Sequence, residues 1–90
     1  MIPNRYYPSR FKKDYKRVKA QGKDIQALLD IMDRLQNEEK LEASFFDHDL
    51  KGNWKGYREC HLAPDWLLVY TVEENTIIFA RTGSHSEIFA

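Results

Sequence analysis

The sequence predicts an α+β domain with two helices packed on one face of a mainly antiparallel sheet. Three observations carry this. Apolar residues recur with helical spacing only between about residues 10 and 36. Runs of strand length fill 54–81. Turn residues punctuate the chain where one regime gives way to the next.

Residues 2–7 read as a short first strand. Pro3 confines it to a sheet edge or makes it the strand's start. Ser9, after Pro8, is the expected N-cap of a helix over 10–21. Phe11, Tyr15 and Val18 fall on one face of that helix. Lys12, Lys16, Lys19 and Lys23 repeat the spacing one position on, as a basic stripe beside the apolar one. Gly22 is placed to end this helix and Asp24 to cap the next. There Ile25, Leu28, Leu29, Met32 and Leu35 make an apolar face through about residue 36, so the pair forms a helical hairpin.

Residues 37–53 read as a long loop with little regular structure, a type that often carries function. Three strands are expected beyond it, over 54–61, 66–72 and 76–81. Ala63-Pro64-Asp65 and Glu73-Glu74-Asn75 form the turns between them, and Thr82-Gly83-Ser84 breaks the sheet. The predicted order is β-α-α-β-β-β in one domain covering residues 1–90.

The 90 residues bury only about 60% of the unfolded chain's surface, so 5 Phe, 5 Tyr and 2 Trp matter to a small core. A single cysteine, Cys60, excludes an internal disulfide and a Cys-rich zinc site, and fits a reducing cytoplasmic setting. Met1-Ile2-Pro3-Asn4-Arg5 leads into no apolar leader. No run approaches the roughly 20 apolar residues that span a bilayer, so no membrane association is expected. The net charge of zero hides an asymmetry: residues 1–24 carry eight bases against two acids, and residues 25–50 two bases against seven acids. A basic arm of this kind suits a polyanion or an acidic partner.

The residues able to carry chemistry concentrate after position 47. All three histidines are there: His48 in the loop, His61 at a strand end and His85 in the tail. Asp65 stands at a turn and Arg81 closes the last predicted strand. Taken singly, each has a plain reading as a solvated, turn or edge residue. Taken together they suit metal-independent RNA cleavage. Imidazoles titrate near neutrality, so one can take the 2′-hydroxyl proton while another protonates the 5′-oxygen. A guanidinium complements charge building on the phosphoryl oxygens. The spacings between the histidines match no compact metal-ligand motif, so neither a metal nor another cofactor is expected.

From His48 onward the chain resembles the YafQ branch of the RelE/ParE toxins. The likeness lies in the frame H-x-L-x-G-x-W-K-G-Y-R-x-x-H-x-x-P-D-W over residues 48–66, followed by Phe79-Ala-Arg81-Thr-Gly-Ser-His85 and the terminal Phe89. The resemblance implies a RelE-like fold and an endoribonuclease that cuts mRNA in the ribosomal A site. It also implies a cognate antitoxin. It implies a centre made of His48, His61, Asp65, Arg81 and His85, with Phe89 stacking on a base. His85 is then the general acid, Asp65 or one of His48 and His61 the base, and Arg81 the phosphate holder. Lys12, Lys16, Lys19 and Lys23 become a grip on 16S ribosomal RNA. The competing expectation is a ParE-like gyrase inhibitor on the same fold, which needs no paired acid and base.

Overall fold

The computed structural model describes residues 1–90. β1 (Asn4–Tyr6) leads into the hairpin of α1 (Ser9–Ala20) and α2 (Ile25–Gln36). β2 (His48–Asp49), β3 (Arg58–Ala63), β4 (Trp66–Glu73) and β5 (Thr76–Gly83) follow, and α3 (His85–Phe89) closes the chain. The five strands form one sheet in the order β1-β5-β4-β3-β2. β1 pairs parallel to β5 and every other pair is antiparallel. β1 stands at the edge, as Pro3 requires.

Local chemistry explains the helix ends. α1 stops in a Schellman arrangement: Lys23 N–H donates to the Val18 carbonyl and Gly22 N–H to that of Lys19. Gly22 adopts φ +79°, which a residue with a Cβ resists. Asp24 caps α2 by accepting from Ala27 N–H. Ser9 is not the cap of α1. Pro8 holds that position with φ −58°, and Ser9 already lies in the first turn, where its hydroxyl cannot reach back to a free amide.

The β half is richer than the sequence suggested. The 37–53 segment holds a 3-10 turn at Ala43–Phe45 and the short strand β2. Trp54 belongs to a second 3-10 turn, Gly52–Trp54, so β3 starts only at Arg58. Glu74 and Asn75 both take positive φ, 48° and 62°, the signature of a two-residue type I′ hairpin. β5 runs on through Thr82 and Gly83 instead of breaking there. Ser84 then nucleates α3 with a capping box, its side chain accepting from Glu87 N–H while the Glu87 carboxylate accepts from Ser84 N–H.

The two faces of the sheet differ. One packs Cys60, Trp66, Leu68, Tyr70, Ile77 and Phe79 against Phe11 of α1 and Leu28, Ile31, Met32 and Leu35 of α2. The other buries Leu67 and Val69 under Ile88 of α3. A bulge sets which face Arg81 occupies. Tyr70 pairs with Phe79 but Val69 pairs with Arg81, leaving Ala80 unopposed. Phe79 and Arg81 would share a face in a regular strand; the extra residue sends Phe79 to the helices and Arg81 to the α3 side.

A candidate active site on the face covered by the last helix

Cross-strand register assembles the site. His48 on β2 lies opposite Glu59 on β3, and Glu59 opposite Val69 on β4. His61 follows Glu59 by two residues and so projects from the same face. Ile88 anchors α3 over Leu67 and Val69, which swings His85 to the end of the sheet beside His61. Ring centroids step from His48 to His61 at 6.1 Å and from His61 to His85 at 5.9 Å. Phe89 stands 6.4 Å beyond His85, propped edge-on by Trp54 at 5.7 Å. His48 and His85 are about half exposed, at 49% and 53% of their side chains, so the row opens to solvent.

Each histidine has a distinct partner set. Asp65, at the tip of the β3–β4 turn, accepts from both the backbone N–H and Nδ1 of His85, at 3.0 and 2.9 Å. The backbone bond, followed by the ring bond, lowers the Asp65 carboxyl below its ordinary range, with Lys23 adding a weaker pull. His85 is thereby fixed with Nδ1 as donor, which leaves Nε2 without a protein hydrogen bond. His48 Nδ1 lies 2.6 Å from the Phe46 carbonyl, and its Nε2 lies 3.0 Å from Glu59 Oε2. Nδ1–H donates to the carbonyl, and one proton shared between Nε2 and the Glu59 carboxyl closes the second bond. The His61 ring makes no hydrogen bond to protein, and its buried Nδ1 has no partner.

Of the predicted site residues, His48, His61, Asp65, His85 and Phe89 come together. Arg81 occupies the same face but is not presented to the histidines. Its side chain is only 7% exposed. Nε donates to Asp14 Oδ2 at 2.6 Å, and Nη2 donates to Asp14 Oδ1 at 3.2 Å and to the Glu87 carbonyl at 3.3 Å. It is not a strand-end cation reaching into a cleft, because α1 crosses the open edge of β5 and brings a carboxylate to it. Lys12, Lys16 and Lys19 are exposed on α1. Lys23 lies outside that stripe, since the helix ends at Ala20; its Nζ sits 5.8 Å over the Trp66 ring.

Several contributors escaped the sequence reading. Glu59, buried at 5% exposure, faces His48. Its signal was the period of two that separates it from His61. Asp14 lies on the apolar stripe of α1 between Phe11 and Val18, and an acid on such a stripe asks for a buried partner. Asp47 accepts from the Tyr70 hydroxyl at 2.6 Å and from Arg58 Nε at 3.2 Å, which pins the segment bearing His48. Residues whose sequence spacing matches no metal motif also converge in space. Glu59, His61 and His85 offer ligand atoms all within 4.8 Å of one another, from a strand and a helix distant in sequence.

An α+β sheet with a helical hairpin on one face and an imidazole–carboxylate row on the other is the architecture of the solved YafQ toxins. The chain belongs to the YafQ family of bacterial toxins of type II toxin-antitoxin systems, whose model matches residues 4–90. It is 39% identical over 84 residues to the mRNA interferase toxin YafQ of Escherichia coli K12, covering 92% of this chain and 91% of that protein. YafQ in the crystal structure of the E. coli DinJ–YafQ toxin-antitoxin complex superposes with a TM-score of 0.89 at 36% identity, covering 100% of both chains. A metal-bound toxin from Helicobacter pylori superposes with a TM-score of 0.90 at 42% identity, covering 96% of this chain and 98% of that one.

Proposed function

We propose that this toxin is an endoribonuclease that cuts translated mRNA in the ribosomal A site by acid–base catalysis, and that a cognate antitoxin holds it in check. The observation that carries the reading is the Asp65–His85 pair set in line with His61 and His48. RNA cleavage by transesterification needs a base for the 2′-hydroxyl and an acid for the leaving 5′-oxygen. His85 is the acid: Asp65 fixes its Nδ1–H, and Nε2 delivers the proton. Asp65 already accepts two hydrogen bonds and acts as the orienting group instead of the base. His48, held between the Phe46 carbonyl and Glu59, is tied to protein at both ring nitrogens and is not the base. His61 remains as the base, because no protein hydrogen bond fixes its proton. Arg81, buried on Asp14 and the Glu87 carbonyl, holds the strand that leads into α3 and is left out of the phosphate contacts. Phe89 stacks on a base beside the cut.

Lys12, Lys16 and Lys19 on α1 grip 16S ribosomal RNA, and Lys23 adds charge near Asp65. Work on translating ribosomes puts the protein in the cytoplasm; no helix is long and apolar enough to cross a membrane. Complex formation by the E. coli relative with DinJ supports an antitoxin partner here.

Induced expression of wild type and His85→Ala, with mapping of mRNA 5′ ends, tests the reading. In-frame cuts on translated messages should appear with wild type and vanish in the variant. Equal growth arrest by both proteins without RNA cleavage would sink the nuclease and favour gyrase inhibition.

A second reading concerns metal. Glu59, His61 and His85 bring one ligand atom each within 4.8 Å of one another, a nitrogen–oxygen donor set that suits zinc or copper, and Glu59 Oε1 and His61 Nδ1 are buried without partners. The metal-bound H. pylori relative supports this. An ion held there would take up lone pairs that proton transfer requires, so bound metal would silence the site. Cleavage restored by a chelator after zinc addition is the expected result; cleavage indifferent to zinc would remove the reading.

A further inference from the structure

Phe46 is the large apolar side chain most exposed next to the histidine row, at 64%. Its backbone is left-handed, φ 48° and ψ 44°, a conformation a bulky residue resists. The surrounding contacts hold it there. Phe46 N–H donates to the Ala43 carbonyl, and the Phe46 carbonyl meets His48 Nδ1. The result is an aromatic ring standing edge-on to His61, centroids 5.7 Å apart and planes at 81°. A cavity of about 580 Å³ opens beside it, with Ser44, Phe45, Leu62 and Pro64 among its walls.

We propose that this cavity is a nucleobase subsite in which Phe46 stacks on the base flanking the scissile phosphate on the His61 side, opposite the base held by Phe89. The inference rests on the nuclease reading for the identity of the chain it binds. A base needs a flat apolar face and a few polar atoms at its edge. Phe46 supplies the face, Leu62 and Pro64 the apolar floor, and the Ser44 hydroxyl an edge partner. The site is continuous with the catalytic row, since Phe46, His61, His85 and Phe89 follow one another at 5.7, 5.9 and 6.4 Å. The imidazoles therefore have an aromatic platform on either side, as a phosphate has a base on either side. Phe46 also links base to chemistry: its own carbonyl holds His48.

The test uses single-stranded RNA oligonucleotides carrying 2-aminopurine at one position each, bound to the full chain with His85→Ala to stop turnover. Stacking quenches the probe. Adding Phe46→Ala should weaken binding about tenfold and abolish quenching at one position, whereas Phe46→Trp should retain both. Phe89→Ala should abolish quenching at a different position. Unchanged affinity and quenching in Phe46→Ala overturns the subsite, including the case in which an apolar protein segment is the true occupant. The nuclease reading fails separately. Wild type that cuts no message while quenching still depends on Phe46 removes the nuclease and leaves the base site. Wild type that cuts while quenching ignores Phe46 does the reverse.

Discussion

The Arg81 guanidinium is clamped by the Asp14 carboxylate, Nε to Oδ2 at 2.6 Å, across 67 positions of sequence. Asp14 also accepts from Thr82 N–H at 3.2 Å and from Arg17 Nη1 at 2.9 Å. One carboxylate thus satisfies the free edge of β5, orders Arg81 and ties α1 to the strand that leads into α3. Arg17 extends the link, reaching the Thr82 carbonyl at 2.9 Å and Glu87 Oε2 at 3.1 Å. Gly83 belongs to the same device: a Cβ there would lie 2.5 Å from Arg17 Nη2.

Breaking this pair from one side should be costly. Asp14 and Arg81 side chains are 3% and 7% exposed, so removing the carboxylate strands a buried cation. Asp14→Ala should lower unfolding free energy by about 3–5 kcal/mol, measured by urea denaturation. Asp14→Ala with Arg81→Met should cost less than the sum of the single changes, because the second removes the stranded charge. Additive losses would mean the pair is not energetically coupled.

Acid should release α3 before it unfolds the core. Two carboxylates hold that helix, and both are shifted the same way. The backbone amide of Ser84 is the main cause that lowers Glu87, and His85 lowers Asp65. A folded pKa below the unfolded one adds stability that is complete above the unfolded value, about 4, and is lost as pH falls through the folded value. The α3 amides should therefore lose hydrogen-exchange protection below about pH 4 while those of β4 keep it. Simultaneous loss in α3 and β4 would count against a local role.

Cys60 should be chemically silent in the native protein. Burial pushes its thiol up to about 12, with the nearby Asp47 and Glu59 charges adding to the shift. The thiolate is the reactive form. Labelling by a disulfide reagent at pH 8 should thus track global unfolding and speed up with urea. Rapid labelling without denaturant would contradict the packing around Cys60.

The helical hairpin was legible because it is written locally: apolar spacing, Gly22 and Asp24 each act within a turn. The hairpin at Glu74-Asn75 was legible for the same reason. β2 and α3 were not, since two strand residues and five helical ones carry too little periodicity to read. The site divides along the same line. His48, His61, Asp65, His85 and Phe89 stand out as residue types in a recognisable frame. Glu59 and Asp14 act only through partners on other elements, and the fate of Arg81 depended on a bulge at Ala80 and on a helix crossing the sheet edge. Phe46 hid in a loop whose left-handed turn has no glycine to mark it.

Asp65→Asn isolates the orienting role from the fold. Asp65 is exposed and its contacts are confined to His85, so the core of the variant should melt with that of the wild type even where α3 loosens. An amide keeps an acceptor for the His85 backbone N–H but removes the carboxylate oxygen pair that accepts only from Nδ1–H. It can also rotate to present its NH₂, which would turn the imidazole to the wrong tautomer. The single-turnover rate of cleavage on a programmed ribosome should drop about 100-fold or more, with ribosome binding unchanged. The His85 ring should also lose its preference for Nδ1–H, read from imidazole nitrogen shifts. A variant that keeps both the rate and the tautomer would leave Asp65 as no more than a turn residue, and His85 would need another group to orient it.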